Sequence, residues 1–136
     1  MIIIHIMKNR LYPRFLTDSV DRLARTMPVV VVTGARQAGK STLVRDLLGG
    51  ERDYFTLDDL DVLAQAERYP DDLVERSGAM VLDEVQRKPE LLLAVKRSVD
   101  RSRVPGRFIL TGSANFFLMK SVSESLAGRA SYLTLW

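Results

Sequence analysis

A chain of 136 residues, 46% apolar and 27% charged, has the length of one domain and the composition of a globular protein, which excludes disorder as its main state. With no cysteine and a single histidine it can build neither a disulfide framework nor a thiolate or multi-histidine metal centre, and a reducing cytoplasm is its natural setting. A net charge of +3 is too small to imply nucleic acid by itself, and no apolar run approaches the roughly 18 residues needed to span a bilayer.

The chain opens with an apolar segment, residues 1–7, that precedes Lys8 and Arg10, the reverse of the order in a secretory signal. Its second methionine leaves two starts open, Met1 and Met7, and the lone His5 has no assigned role. Residues 12–26 place Phe15, Leu16, Val20, Leu23 and Ala24 at helical intervals, and Pro28 closes that helix. The β-branched run of residues 29–33 predicts a strand buried on both faces, bounded by Gly34. Residues 40–48 predict a helix stopped by Gly49 and Gly50, and residues 54–57 a short strand. Asp58 or Asp59 caps a helix running to Tyr69 before Pro70. Further strands are expected at 79–82, 108–111 and 130–136, the last with alternating faces. Helices are expected at 90–101 and at 115–126, the second broken near residues 121–123. Strands alternating with helices predict a three-layer α/β domain with a parallel sheet of about five strands. Residues 1–28 form an extension with an amphipathic helix, and residues 29–136 form the core.

The strongest chemical signal is Gly34-Ala35-Arg36-Gln37-Ala38-Gly39-Lys40-Ser41, followed by Thr42, between a predicted strand and a predicted helix. Its glycines let successive backbone N–H groups curl around phosphate oxygens, and the following helix adds its dipole. Lys40 then bridges β- and γ-phosphates while the Ser41 hydroxyl ligates Mg²⁺. Asp83 and Glu84 end the strand at 79–82. A carboxylate there is costly unless it meets a cation, so Asp83 is expected at the Mg²⁺ shell and Glu84 at the attacking water. Ser113, with Asn115 second, offers a polar side chain to the γ-phosphate after the next strand, although a turn with a helix cap explains the same residues. Arg36 and Arg129 fit phosphate contact, recognition of a neighbouring subunit or plain solvation. Lys96, Arg97, Arg101, Arg103 and Arg107 have no interleaved aromatic, which favours a solvated helix face over nucleic acid. The strands ending at Asp83 and Thr111 are expected to flank the 29–33 strand, or one of them to lie beside it, so that Lys40, Asp83 and Ser113 converge.

Five blocks in order, Val-Val-Val-Thr-Gly-Ala-Arg-Gln-Ala-Gly-Lys-Ser-Thr-Leu, Phe-Thr-Leu-Asp-Asp, Val-Leu-Asp-Glu-Val-Gln, Ile-Leu-Thr-Gly-Ser-Ala-Asn and Ser-Leu-Ala-Gly-Arg, resemble the prokaryotic AAA-like ATPases that carry a C-terminal domain of unknown function. The resemblance runs from about Arg10 to Trp136. It implies a P-loop NTPase fold binding ATP with Mg²⁺. Lys40, Ser41, Asp83 and Glu84 match the Walker positions, Ser113 or Asn115 a sensor, and Arg129 the Gly-Arg before the last strand. Family members continue into a helical lid and a further domain, so this chain resembles their N-terminal part, without the lid. Two functions follow: an ATPase that hydrolyses ATP when complete or assembled with copies or protein partners, and a nucleotide-binding regulatory module without turnover. Low hydrolysis by the short chain is expected in either case. No Asn/Thr-Lys-x-Asp base-reading tetrapeptide follows, which argues against a GTPase.

Overall fold

The computed structural model describes residues 5–6, 12–34, 52–113 and 115–135. Among these the strands are β1 (His5–Ile6), β2 (Val29–Gly34), β3 (Asp53–Thr56), β4 (Met80–Asp83), β5 (Phe108–Ser113) and β6 (Ala130–Leu135). The helices are α1 (Tyr12–Ala24), α2 (Leu60–Arg68), α3 (Pro70–Val74), α4 (Leu91–Arg101) and α5 (Phe116–Ser125), with a 3-10 turn at Val85–Arg87. The helix expected at 40–48 lies outside the described residues.

All strand pairs are parallel, in the order β1-β6-β2-β5-β4-β3. The expected five strands are present, and the two-residue β1 adds a sixth against Thr134 and Leu135. The phosphate-loop strand β2 lies beside β5, the second of the two expected arrangements, and β5 rather than β2 is the middle strand of β2, β5 and β4. Val29 to Val32 are fully buried because alternate residues feed two cores. Val29 and Val31 join Met80, Leu82, Phe108 and Leu110 under α2 to α5, while Val30 and Val32 join Val81, Ile109 and Leu133 against Val20 and Leu23 of α1. Helices thus cover both faces, the three-layer α/β arrangement.

Local chemistry explains most boundaries. Asp59 caps α2, its carboxylate accepting from the Asp61 N–H at 2.8 Å. Pro70 does more than end that helix, since it opens α3 at the first helical position, where its missing N–H costs nothing. The break expected near residues 121–123 does not occur: α5 is continuous and buries Val122. β6 is buried at five of its six positions rather than alternating, because both sheet faces are covered there.

Candidate functional site

The carboxyl ends of β2, β5 and β4 lie side by side. Gly34 is in register with Ser113 across the β2–β5 pair, and Leu82 with Leu110 across the β4–β5 pair. Two strand spacings separate the ends of β2 and β4, about 10 Å. Residues 35–51, including Arg36, Lys40, Ser41 and Thr42, lie outside the described residues, so Gly34 alone marks where the phosphate loop departs.

Asp83 closes β4 with 3% of its surface exposed. Two hydroxyls hold its carboxylate: Tyr54 of β3 donates to Oδ2 at 2.6 Å, and Thr111 of β5 donates to Oδ1. A buried carboxylate is tolerated where donors of this kind satisfy it. Glu84 follows in the left-handed region, φ 59° and ψ 43°, the one non-glycine residue with positive φ among those described. That conformation costs roughly 1–2 kcal/mol for a residue with a Cβ, and such outliers gather at functional sites. It turns the chain so that the Glu84 N–H donates to Thr111 Oγ1 at 3.4 Å. The Thr111 hydroxyl therefore accepts from one acidic residue and donates to the other.

The Gln86 amide adds a second tie. Its Nε2 donates to Glu84 Oε2, and its Oε1 accepts the Ser113 N–H at 3.2 Å. Ser113 and Asn115, alternatives in the sequence, are hydrogen-bonded to each other: Asn115 Nδ2 donates to Ser113 Oγ at 3.3 Å and its N–H to the Ser113 carbonyl at 2.9 Å. Asp83, Glu84, Ser113 and Asn115 are thus brought to one end of the sheet. Tyr54, Thr111 and Gln86 join them, and only the short spacing of Gln86 from Glu84 was visible in the sequence.

Arg129 is not brought there. It precedes β6, whose parallel pairing with β2 puts its entrance beside Val29, about 16 Å from the level of Gly34 at ~3.3 Å per residue. Its guanidinium makes a two-pronged pair with Asp100, 2.7 and 3.1 Å, which holds the Asp100 carboxyl below its ordinary range. An open cleft lined by Leu23, Met27, Gly128 and Tyr132 lies at this same far end.

The basic stretch is largely matched by acids. Asp71 and Glu75, four residues apart, face Arg97 and Arg101, also four apart; Arg97 is bidentate on Asp71 at 2.9 and 3.1 Å. Arg107, with 8% of its side chain exposed, reaches Glu75 at 2.8 Å. The Arg101 hydrogen bond above all, with Arg107, lowers the Glu75 pKa to about 2. This pairing leaves little of the stretch to neutralise nucleic acid phosphates.

Carboxylate and hydroxyl oxygens suit a hard cation, and Mg²⁺ is usually held by one or two carboxylates together with substrate phosphates. Asp83, oriented by two hydroxyls at the sheet's carboxyl end, fits that requirement. Among the described residues no group of three His, Cys, Asp or Glu could cage a metal unaided, and no helix is long and apolar enough to cross a membrane.

Comparison with known proteins agrees with this geometry. A family model described as "AAA domain" matches residues 26–136. Uncharacterized proteins of Mycobacterium bovis and Mycobacterium tuberculosis are each 40% identical over 124 residues, covering 87% of this chain and 28% of theirs. The chain therefore spans little more than a quarter of those relatives. The solved structure of a Walker-type ATPase of Pyrococcus abyssi superposes with a TM-score of 0.56 at 19% identity, covering 88% of this chain and 51% of that one, a likeness of fold. A parallel sheet with an acidic pair at the end of β4, a glycine-rich motif leaving β2 and a family match across both have one common reading: the chain belongs to the AAA domain family, as an AAA-like P-loop ATPase domain.

Proposed function

We propose that this domain binds ATP with Mg²⁺ and hydrolyses its γ-phosphate, slowly as the isolated chain and faster within a larger or assembled protein. The observation that carries the reading is the meeting of Gly34, Asp83, Glu84 and Ser113 at adjoining strand ends. Backbone N–H groups of residues 34–42 would cradle the phosphates, with Lys40 supplying the side-chain cation. Ser41 and Asp83 would hold Mg²⁺, which would offset the negative charge of the phosphates. Glu84 accepts a hydrogen bond from the attacking water and aligns it, and Ser113, steadied by Asn115, donates to the γ-phosphate. Arg129, at the far end of its own sheet, is reserved for contact with a neighbouring molecule. A reducing, cytoplasmic setting is part of the same proposal, and the cysteine-free composition is compatible with it.

Titration with a fluorescent ATP analogue, paired with single-turnover hydrolysis, tests the reading. Lys40→Ala should weaken binding on the order of tenfold or more, the loss of one charge-assisted contact. Glu84→Gln should keep affinity within roughly threefold while hydrolysis falls below detection, because its contact strengthens mainly in the transition state. Equal affinity in wild type and Lys40→Ala refutes the phosphate site. Binding that depends on Lys40 with no detectable hydrolysis leaves the regulatory module as the function, and turnover that survives Glu84→Gln removes Glu84 from the catalytic role.

A further inference from the structure

We propose that Gln86 is a positioning residue that locks the Glu84 carboxylate to strand β5, making the water-orienting group answer to the strand that borders the phosphate loop. The proposal rests on the reading of Glu84 given above. It starts from the two ends of one amide: Nε2 donates to Glu84 Oε2, and Oε1 accepts the Ser113 N–H. Only this orientation works, since a flipped amide would set its oxygen against a carboxylate and its NH₂ against an N–H.

The amide is mounted on a firm base. Val85, fully buried, anchors the Val85–Arg87 turn in the core, and the turn closes through Arg87 N–H to Glu84 O and Lys88 N–H to Val85 O, both 3.1 Å. On the other side, Ser113 stands in register with Gly34, where the phosphate loop leaves β2. Gly34, Ser113, Gln86 and Glu84 therefore form an unbroken series of contacts from the first glycine of the loop to the water-orienting carboxylate. A displacement of the end of β5 by a bound γ-phosphate is transmitted to Glu84 through a side chain that never touches nucleotide. Contiguity of this kind becomes coupling only when perturbing one end is felt at the other.

The experiment uses the whole chain, labelled with ¹⁵N, in wild type, Gln86→Met, Gln86→Glu and the exchange Glu84→Gln with Gln86→Glu. Gln86→Met keeps the shape and removes both bonds. Gln86→Glu keeps the acceptor for Ser113 but sets like charge against Glu84. The exchange reverses the first bond and keeps the second. The Ser113 amide resonance should move in Gln86→Met and lie near its wild-type position in the exchange, which a merely space-filling Gln86 would not produce. Glu84→Ala should shift that resonance in the wild-type background and leave it still in the Gln86→Met background. Single-turnover hydrolysis should fall on the order of tenfold or more in Gln86→Met and Gln86→Glu, with nucleotide affinity within roughly twofold. A Ser113 resonance indifferent to Gln86→Met overturns the tie, and a moved resonance with an unchanged rate overturns the positioning role. If wild type hydrolyses no faster than Lys40→Ala, the ATPase reading fails instead, and the resonances alone decide the tie.

Discussion

Replacing Glu75 with Gln removes the one carboxylate shared by Arg101 and Arg107. In the folded chain its pKa falls from 4.5 to about 2, with Arg101's hydrogen bond as the largest cause. At ~1.36 kcal/mol per pKa unit the ceiling is about 3.4 kcal/mol. Glu75 is 42% exposed, so water screens much of this, and about 1–2 kcal/mol is expected to remain. Arg107 keeps the effect above that of an ordinary surface pair, because only 8% of its side chain is exposed and it stays charged when its partner is lost. The sign follows from the direction of the shift. A depressed carboxyl pKa stabilises the fold fully above pH 4.5, and the contribution fades as pH falls towards 2, with about two fifths left at pH 3. Urea denaturation of wild type and Glu75→Gln at pH 7, 5 and 3 measures this, since the other carboxylates titrate alike in both proteins. Equal stability at pH 7, or a gap that does not narrow by pH 3, refutes the reasoning.

Tyr54→Phe removes one hydroxyl donor from the buried Asp83 carboxylate. It should cost about 1.5–3 kcal/mol in urea denaturation and raise severalfold the Mg²⁺ needed for half-maximal nucleotide binding. Gly106 has φ +73° and a Cβ there would lie 3.0 Å from the Ala24 carbonyl oxygen, so Gly106→Ala should lower the melting temperature by at least about 5 °C in calorimetry. Arg129→Ala should leave the nucleotide affinity of the isolated chain unchanged in the fluorescence titration, because Arg129 sits at the amino end of the sheet on Asp100.

The strands were legible because each is a short β-branched or apolar run bounded by turn formers, and the 29–33 run could be nothing other than a strand buried on two sides. Pro70 misled because proline signals both the end of one helix and the start of another, and the spacing between α2 and α3 is too short to separate the two meanings. Asp83, Glu84 and Ser113 could be placed at one end of the sheet from strand direction alone. The same rule, applied to Arg129, would have put it at the other end, since a residue entering a parallel strand lies opposite the residues that leave its neighbours. Tyr54 and Thr111 escaped notice because their role depends on β4 lying between β3 and β5, and strand order is set by long-range packing that no local pattern encodes.

That strand order also governs how the chain matures during synthesis. β2 emerges early, yet both its partners, β5 and β6, are made about 80 to 100 residues later. At ~5–20 residues per second, four consecutive valines wait roughly 4–20 s with neither edge paired by its native neighbour. A run rich in β-branched residues, uncharged and free of proline, is the kind of segment that associates between chains when left open. The strand that leads into the phosphate loop is therefore the point at which a nascent chain of this fold most needs shelter, and slowing translation between Gly34 and Phe108 should lower the soluble yield while slowing it before Val29 should not.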